Sequence, residues 1–143
     1  MYAACRNGDV ESVASLLAQN TNVNRPAGSG STPLMIACHK NHVDVVRLLL
    51  QHEGLDVNRA DDFDVTAFSL ACSRGNALLV DLLLQQEGID INKPASNLDR
   101  GERGHMPLSL AVFNGHLPVV KALLARDDLR LSLIHISEPT RPY

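Results

Sequence analysis

The chain has 143 residues, of which 45% are hydrophobic and 20% are charged, and this composition is typical of a folded domain and excludes global disorder. Its net charge of −3 and isoelectric point near 6.0 provide no basic field of the kind that attracts nucleic acid. No apolar run approaches the roughly 20 residues that span a membrane, and the N-terminus lacks the apolar segment of a signal peptide. The three cysteines are too few for a disulfide framework, so we expect an intracellular, cytoplasmic location.

Three segments of the sequence end in the same way at intervals of 34 residues. They read VASLLAQNTNVN, VVRLLLQHEGLDVN and VDLLLQQEGIDIN, and they end at Asn24, Asn58 and Asn92. A period of this length indicates a stacked-repeat array, in which each unit buries its apolar face against its neighbours. We interpret the chain as about four units, with approximate bounds 1–31, 32–65, 66–105 and 106–130.

The first unit starts part-way through the pattern. Tyr2-Ala3-Ala4-Cys5 aligns with Met35 to Cys38 of the second unit, so the start and half of the first helix are expected to be missing. We interpret this unit either as a short N-terminal cap or as the result of a reading frame that starts late.

The second unit predicts a pair of antiparallel helices. Thr32 is a good N-cap and Pro33 a good first helical residue, because proline has no amide to leave unsatisfied. The first helix should end near Asn41, at the position that Gly75 and Gly115 hold in the next units. The second helix should bury one apolar face, formed by Val45, Val46, Leu49 and Leu50.

The loops between units differ in length. Asn24 and Thr32 are eight positions apart, as are Asn58 and Thr66, whereas the third loop is six residues longer. It reads KPASNLDRGERGH, and long insertions in repeat arrays are often binding loops. We predict a mobile finger that contacts a partner, with solvated charge and no partner as the alternative interpretation.

The segment TPLMIAC, from Thr32 to Cys38, resembles the T-P-L-H-x-A signature of the ankyrin repeat. Degraded copies start at Thr66 and Met106, and a turn residue, a valine-leucine helix and Asp-Val-Asn or Asp-Ile-Asn follow in the pattern. The resemblance covers 1–130. It implies an all-α solenoid of stacked antiparallel helix pairs with projecting loops, which acts as a monomeric, non-catalytic protein-binding module without a cofactor or a small-molecule substrate.

A partner protein should contact the loop tips and the concave face of the first helices. Phe63 and Phe113 are the expected anchors, because exposed aromatic side chains often carry binding energy, and Arg100 and Arg103 should add charge complementarity. The complete candidate set is His39, Lys40, Phe63, Ser73, Arg74, Arg100, Glu102, Arg103, Phe113 and Asn114.

Cys5, Cys38 and Cys72 recur at matching places in the first helices. Stacked helices lie about 8–10 Å apart, whereas a disulfide needs Cα atoms within roughly 7 Å, so we predict a column of buried small residues. Cys38, His39 and His42, with or without Glu53, have ligand-like spacing but lack a fourth nearby ligand. We interpret His42 as a residue that hydrogen-bonds the local backbone of its turn, and a metal-dependent enzyme as the less favoured alternative.

The repeated asparagines precede each loop, where an amide can bond backbone groups on both sides. We therefore predict a structural role for Asn24, Asn58 and Asn92. The resemblance to ankyrin repeats further implies that Asn58 and Asn92 are candidate targets of asparaginyl hydroxylases.

The last segment abandons the repeat. LSLIHISEPTR, Leu131–Arg141, resembles the translation of a sequencing-library adapter, and we interpret 131–143 as a non-native tail of a protein that continued further. The fourth unit should then expose apolar surface that a neighbour once covered. The main functional alternative is a truncated regulatory segment of a larger enzyme or channel.

Overall fold

The computed structural model describes residues 1–97 and 102–126, with side chains for all of these except 96–97 and 102–104. The described residues form eight helices in four pairs and one two-stranded sheet. The helices are α1 Tyr2–Asn7, α2 Val10–Ala18, α3 Pro33–His39, α4 Val43–Leu50, α5 Ala67–Arg74, α6 Ala77–Leu84, α7 Pro107–Phe113 and α8 Leu117–Leu124, and the strands are β1 Ala95–Asn97 and β2 Glu102–His105.

Side-chain caps set the start of the inner first helices. The Thr32 hydroxyl accepts a hydrogen bond from the Met35 amide at 3.2 Å, and Pro33 is the first residue of α3, as the sequence predicts. Thr66 and Ser69 form a reciprocal capping box at the start of α5. These bonds satisfy amides that the helix itself leaves unpaired.

The first helices end in left-handed turns. Asn41, Gly75 and Gly115 have φ angles of 63°, 76° and 73°, and Gly8 has the same conformation after α1. The prediction of a left-handed turn residue is confirmed at all three predicted positions. The turn reverses the chain so that each second helix packs antiparallel to its first helix.

The helix pairs stack into two layers. The first helices α1, α3, α5 and α7 contact one another in sequence order, and the second helices α2, α4, α6 and α8 do the same. Equivalent apolar residues fill the space between units, which is the arrangement that the 34-residue period predicts. The buried residues at two of these positions are Leu34, Phe68 and Leu108 in the first layer, and Leu49, Leu83 and Leu123 in the second.

The first unit contains a nearly complete first helix. Helix α1 lacks a side-chain cap, as expected, but it has six residues where α3 has seven, so the expectation that half of this helix is missing is wrong. The Cys5 amide donates to the Met1 carbonyl at 3.0 Å, so the helix forms from the first residues of the sequence. Burial of Cys5 and Val13 then anchors the unit on its neighbour.

The loops project as tight fingers. Ala27 and Ser31 exchange two backbone hydrogen bonds in the first finger, and the Asp61 amide donates to the Val65 carbonyl in the second. The Asp62 amide also donates to the Ser29 carbonyl at 3.0 Å, which links the first two fingers. In the longer third loop, β1 and β2 pair antiparallel.

The all-α solenoid predicted from the sequence is confirmed for the helix pairs. The β1–β2 hairpin was not predicted, because nothing in KPASNLDRGERGH has the alternating apolar pattern of a strand. Arg100 and the tail 131–143 lie outside the described residues. Within the described part of the chain, no helix has both the length and the apolar character that crossing a bilayer requires.

Candidate protein-binding surface

Two equivalent positions at the end of each first helix form a continuous row across the array. They hold polar or basic side chains in the first three units and an aromatic ring in the fourth. All are exposed except Ser73, which is half-buried. We call this set the first-helix row, and its members are Arg6, Asn7, His39, Lys40, Ser73, Arg74, Phe113 and Asn114.

Hydrogen bonds between units hold the row in place. The Arg74 Nε donates to the His39 carbonyl at 3.0 Å, which fixes the guanidinium against the preceding helix. The Asn114 Nδ2 donates to the Leu110 carbonyl at 2.9 Å and lies 3.5 Å from the Ser73 hydroxyl. Because these side chains are already positioned, a ligand would lose little of its binding energy to ordering them.

The row has a basic part and an aromatic end. Arg6, Lys40 and Arg74 supply positive charge, and no member of the row is acidic. Burial lowers the pKa of His39, and the charges of Arg74 and Lys40 lower it further, so this imidazole is neutral near pH 7. Phe113, at the far end, is 88% exposed, which is unusual for a large apolar side chain.

A groove adjoins the row beside the third finger. It has a volume of about 220 Å³ and is open to solvent on the same side as Ser73. Its lining combines Val65 of the second finger and residues of α5 and α7 with the paired ends of β1 and β2, namely Val65, Ser69, Leu70, Ser73, Ala95, His105 and Leu110. Its lining is mainly apolar, with the polar side chains of Ser69, Ser73 and His105.

Comparison with protein families agrees with this geometry. A family model described as "Ankyrin repeats (3 copies)" matches residues 1–95, and one described as "Ankyrin repeat" matches residues 103–131. The chain belongs to the ankyrin repeat family. Comparison with curated proteins finds no match. Ankyrin repeats generally mediate protein–protein interactions and are typically non-catalytic, so a protein-binding role is the general expectation for this array.

Other predicted contact residues of the ankyrin array lie outside the row. Phe63 is on the second finger and is 37% exposed, so it offers less apolar surface than Phe113. Glu102 and Arg103 belong to β2, and their side chains, like Arg100, fall outside what the structure describes. The structure therefore gathers six predicted residues in one row, and these are His39, Lys40, Ser73, Arg74, Phe113 and Asn114.

The groove was missed from the sequence. Leu70 and Leu110 occupy equivalent positions of α5 and α7, and they read as ordinary core residues. His105 and Ala95 reach the groove only because the third loop forms a hairpin. The unusual length of that loop was the one available signal.

The asparagine ties between ankyrin units are confirmed for the first two loops. The Asn24 Nδ2 donates to the Gly54 carbonyl at 2.7 Å, and its Oδ1 accepts from the Asp56 amide at 2.8 Å. Asn58 makes the equivalent bonds to the next unit, with Gly88 and Asp90, both at 2.7 Å. Hydroxylation of Asn58 and Asn92 stays a prediction.

The histidine at the turn has a different partner from the one predicted. His42 Nε2 lies 3.0 Å from the Arg6 carbonyl of the preceding unit, so the prediction of a local backbone bond is wrong. His116 makes the equivalent contact with the Ser73 carbonyl at 2.9 Å. Among the side chains that the structure describes, no three His, Cys, Asp or Glu residues form a group that could hold a metal ion.

The three cysteines form the predicted buried column. Cys5, Cys38 and Cys72 are fully buried free thiols. Burial raises the pKa of Cys5 to about 11 and that of Cys38 to about 12, and it also raises the pKa of Cys72. Thiols that stay protonated are poor nucleophiles and poor metal ligands, which agrees with a packing role.

These buried thiols should make the ankyrin array less stable at high pH. The folded pKa values lie above the ordinary value of 9.0, so their stabilising contribution is complete below pH 9 and is lost as the pH rises toward 11–12. Urea unfolding followed by circular dichroism should therefore show a lower midpoint at about pH 10 than at about pH 7. A Cys38→Ala/Cys72→Ala variant should lose less stability over the same range, and an equal loss would contradict this assignment.

Proposed function

We propose that this ankyrin array binds a partner protein along the first-helix row. The partner segment would carry acidic residues over Arg6, Lys40 and Arg74, and an apolar residue over Phe113. The observation that carries the proposal is the exposed ring of Phe113, 88% exposed at the end of a row without acidic side chains. Burying such a ring would stabilise a complex by about 1.5–3 kcal/mol.

The contributions to binding would differ along the row. Charge attraction over α1, α3 and α5 would mainly raise the association rate and fix the direction of the bound segment. Phe113 would act as the anchor that slows dissociation. An aliphatic residue between these two ends would enter the groove beside Ser73 and Leu110.

Selection of peptides from a random display library on the full chain tests the proposal. We expect enriched sequences to contain an acidic cluster and, a few residues away, an aromatic or aliphatic residue. Basic or uncharged consensus sequences would contradict the proposed chemistry. Selection of no peptide at all would also count against a binding row that is already ordered.

Phe113→Ala should lower the affinity for the selected peptide by about 10-fold or more, because a buried aromatic anchor contributes more than about 1.4 kcal/mol to binding. Titration by calorimetry gives the affinity, and circular dichroism should show unchanged helical content. Leu78→Ala is the matched control, because Leu78 is an exposed apolar residue on α6, in the other helix layer. An equal effect of both variants would remove Phe113 from the site.

Lys40→Glu should lower the affinity for the same peptide more at low salt than at high salt, because Lys40 would contribute to binding through its charge. Loss of affinity that does not depend on salt would indicate a structural effect.

The proposed role is non-catalytic. Its support is that the three thiols are buried and that His42 and His116 already contact backbone carbonyls of the preceding units. An intracellular location remains a prediction from the free cysteines, and a regulatory role within a larger enzyme or channel remains the alternative.

A further inference from the structure

The second finger, residues 61–65, has the opposite charge to the first-helix row. Its sequence, Asp-Asp-Phe-Asp-Val, holds three carboxylates around one aromatic ring and no basic residue. Asp62, Phe63 and Asp64 are exposed, and Asp61 is half-buried. The row carries Arg6, Lys40 and Arg74 and no acidic residue. Two surfaces of the same chain are therefore complementary in charge.

Both surfaces also present an aromatic ring. The chain has three phenylalanines and no tryptophan. Phe68 is fully buried, but Phe63 is 37% exposed and Phe113 is 88% exposed. One exposed ring lies on the finger and the other at the end of the row. A contact between the finger and the row can cover both rings at once, in the kind of aromatic pair that stabilises interfaces.

Hydrogen bonds hold the finger in one shape. The Asp61 Oδ1 accepts from the Phe63 amide at 2.8 Å and from the Val65 amide at 2.9 Å. The Asp62 amide donates to the Ser29 carbonyl of the first finger. The Asp61 carboxylate is thus used within the finger, and Asp62 is an exposed charge beside the ring. A finger that is already ordered loses little binding energy when it docks.

The finger and the row open onto the same side of the molecule but lie at opposite ends of α5. Val65, at the base of the finger, and Ser73 of the row line the same groove. Helix α5 has eight residues, so about 12 Å separate its two ends. Phe63 and Phe113 are both exposed within one chain, so they do not cover each other. Contact between the two rings therefore requires two copies of the chain.

Opposite ends of one helix suit a pair related by a two-fold axis. When two copies face each other with their α5 helices antiparallel, the finger at the start of α5 in one copy comes over the end of α5 in the other. The reverse contact then forms in the same way. Both contacts are identical, as in the closed interfaces of most homodimers.

We propose that a second copy of this chain is a partner of the first-helix row, with the second finger of each copy over the ends of α5 and α7 of the other. Phe63 packs against Phe113, and Asp62 pairs with Arg74. The Arg74 Nε is bonded to the His39 carbonyl, and the terminal nitrogens of a guanidinium can bind a carboxylate.

This pairing rests on the proposed function, because the finger takes the place of the acidic and apolar segment that the row binds. A self-pairing chain differs from the monomer that the family resemblance implies. Two fingertips bury less surface than a stable interface, so we expect a reversible dimer with a dissociation constant on the order of 10–100 μM.

Sedimentation velocity of the full chain, from about 1 μM to about 1 mM, measures the pairing. We expect the monomer to convert to a dimer as the concentration rises. A monomer at every concentration, or assemblies that continue to grow beyond the dimer, would overturn the pairing. If the monomeric chain still binds the selected peptides, the proposed function stands and only the pairing is lost.

Phe63→Ala separates the two proposals further. It should weaken the dimer by about 100-fold, because each of the two contacts loses an anchor that contributes about 10-fold. The affinity for the selected peptide should not change, since Phe63 is not part of the row. Leu78→Ala, in the other helix layer, is the matched control and should leave the dimer intact. A dimer of undiminished strength in Phe63→Ala would exclude the finger from the interface.

Charge exchange tests which surfaces meet. Asp62→Lys and Arg74→Glu should each stop the chain from pairing with itself at about 100 μM, because both contacts then place like charges together. An equimolar mixture of the two variants should pair again, since each contact in the mixed dimer joins opposite charges. Asp81→Lys, an exposed charge reversal on α6, should not affect pairing. A mixture that remains monomeric would contradict the reciprocal contact.

Discussion

Replacement of Phe68 with alanine should lower the free energy of unfolding by about 3–5 kcal/mol. Phe68 is the largest fully buried side chain among the described residues, and it belongs to α5, a first helix with a neighbour on both sides. Loss of the Phe68 ring leaves a cavity between α5 and both of its neighbours, α3 and α7. A shift of one helix toward the cavity would open a gap on its other side, so the cavity persists. Urea unfolding followed by far-ultraviolet circular dichroism measures the change.

Phe113→Ala is the matched control for this prediction. It removes the same side chain from an equivalent layer of the array, but at a position that is 88% exposed. The expected change in unfolding free energy is within about 0.5 kcal/mol. Similar losses for the two variants would mean that Phe68 does not occupy the core between units.

Replacement of Gly75 with alanine should cost about 2–4 kcal/mol, from left-handed strain and overpacking together. Gly75 has φ 76°, and a methyl group there would overlap the imidazole of His116. The histidine must then move and lose its contact with the Ser73 carbonyl, which joins the third and fourth units. Thermal and urea unfolding should both show the loss.

Gly28→Ala separates strain from overlap. Gly28 also has positive φ, 53°, but a Cβ there meets nothing within 4 Å, so only the strain of about 1–2 kcal/mol applies. A Gly75→Ala/His116→Ala variant should lose less unfolding free energy than the sum of the losses of the two single variants, because the overlap between the alanine Cβ at position 75 and the imidazole is absent. Equal costs at Gly28 and Gly75 would exclude a tight junction at Gly75.

The sequence predicts those features that depend on one unit at a time. The Thr32 cap, the left-handed turn at Gly75 and the burial of Cys38 each follow from residues within a few positions. Repetition at a fixed period then extends each prediction to the other units. The asparagine ties were also predictable, because an amide side chain at the entrance of a loop can both donate to and accept from nearby backbone groups.

Features that depend on how units stack could not be predicted. The partner of His42 is a carbonyl 36 residues earlier, and sequence spacing does not give the offset between stacked helices. The groove beside Ser73 needs both the α5–α7 junction and the hairpin of the third loop. The contributions of Arg100, Glu102 and Arg103 to binding remain predictions.

The bond between the Asp62 amide and the Ser29 carbonyl makes the first two fingers a mechanically coupled pair. Gly30 adds to this, since the space beside it is occupied by the backbone of Asp61 and Asp62. A ligand that immobilises either fingertip therefore restricts the other, even without touching it. Binding at one fingertip therefore also removes part of the conformational entropy of the other. A second contact, at that other fingertip, then costs less conformational entropy.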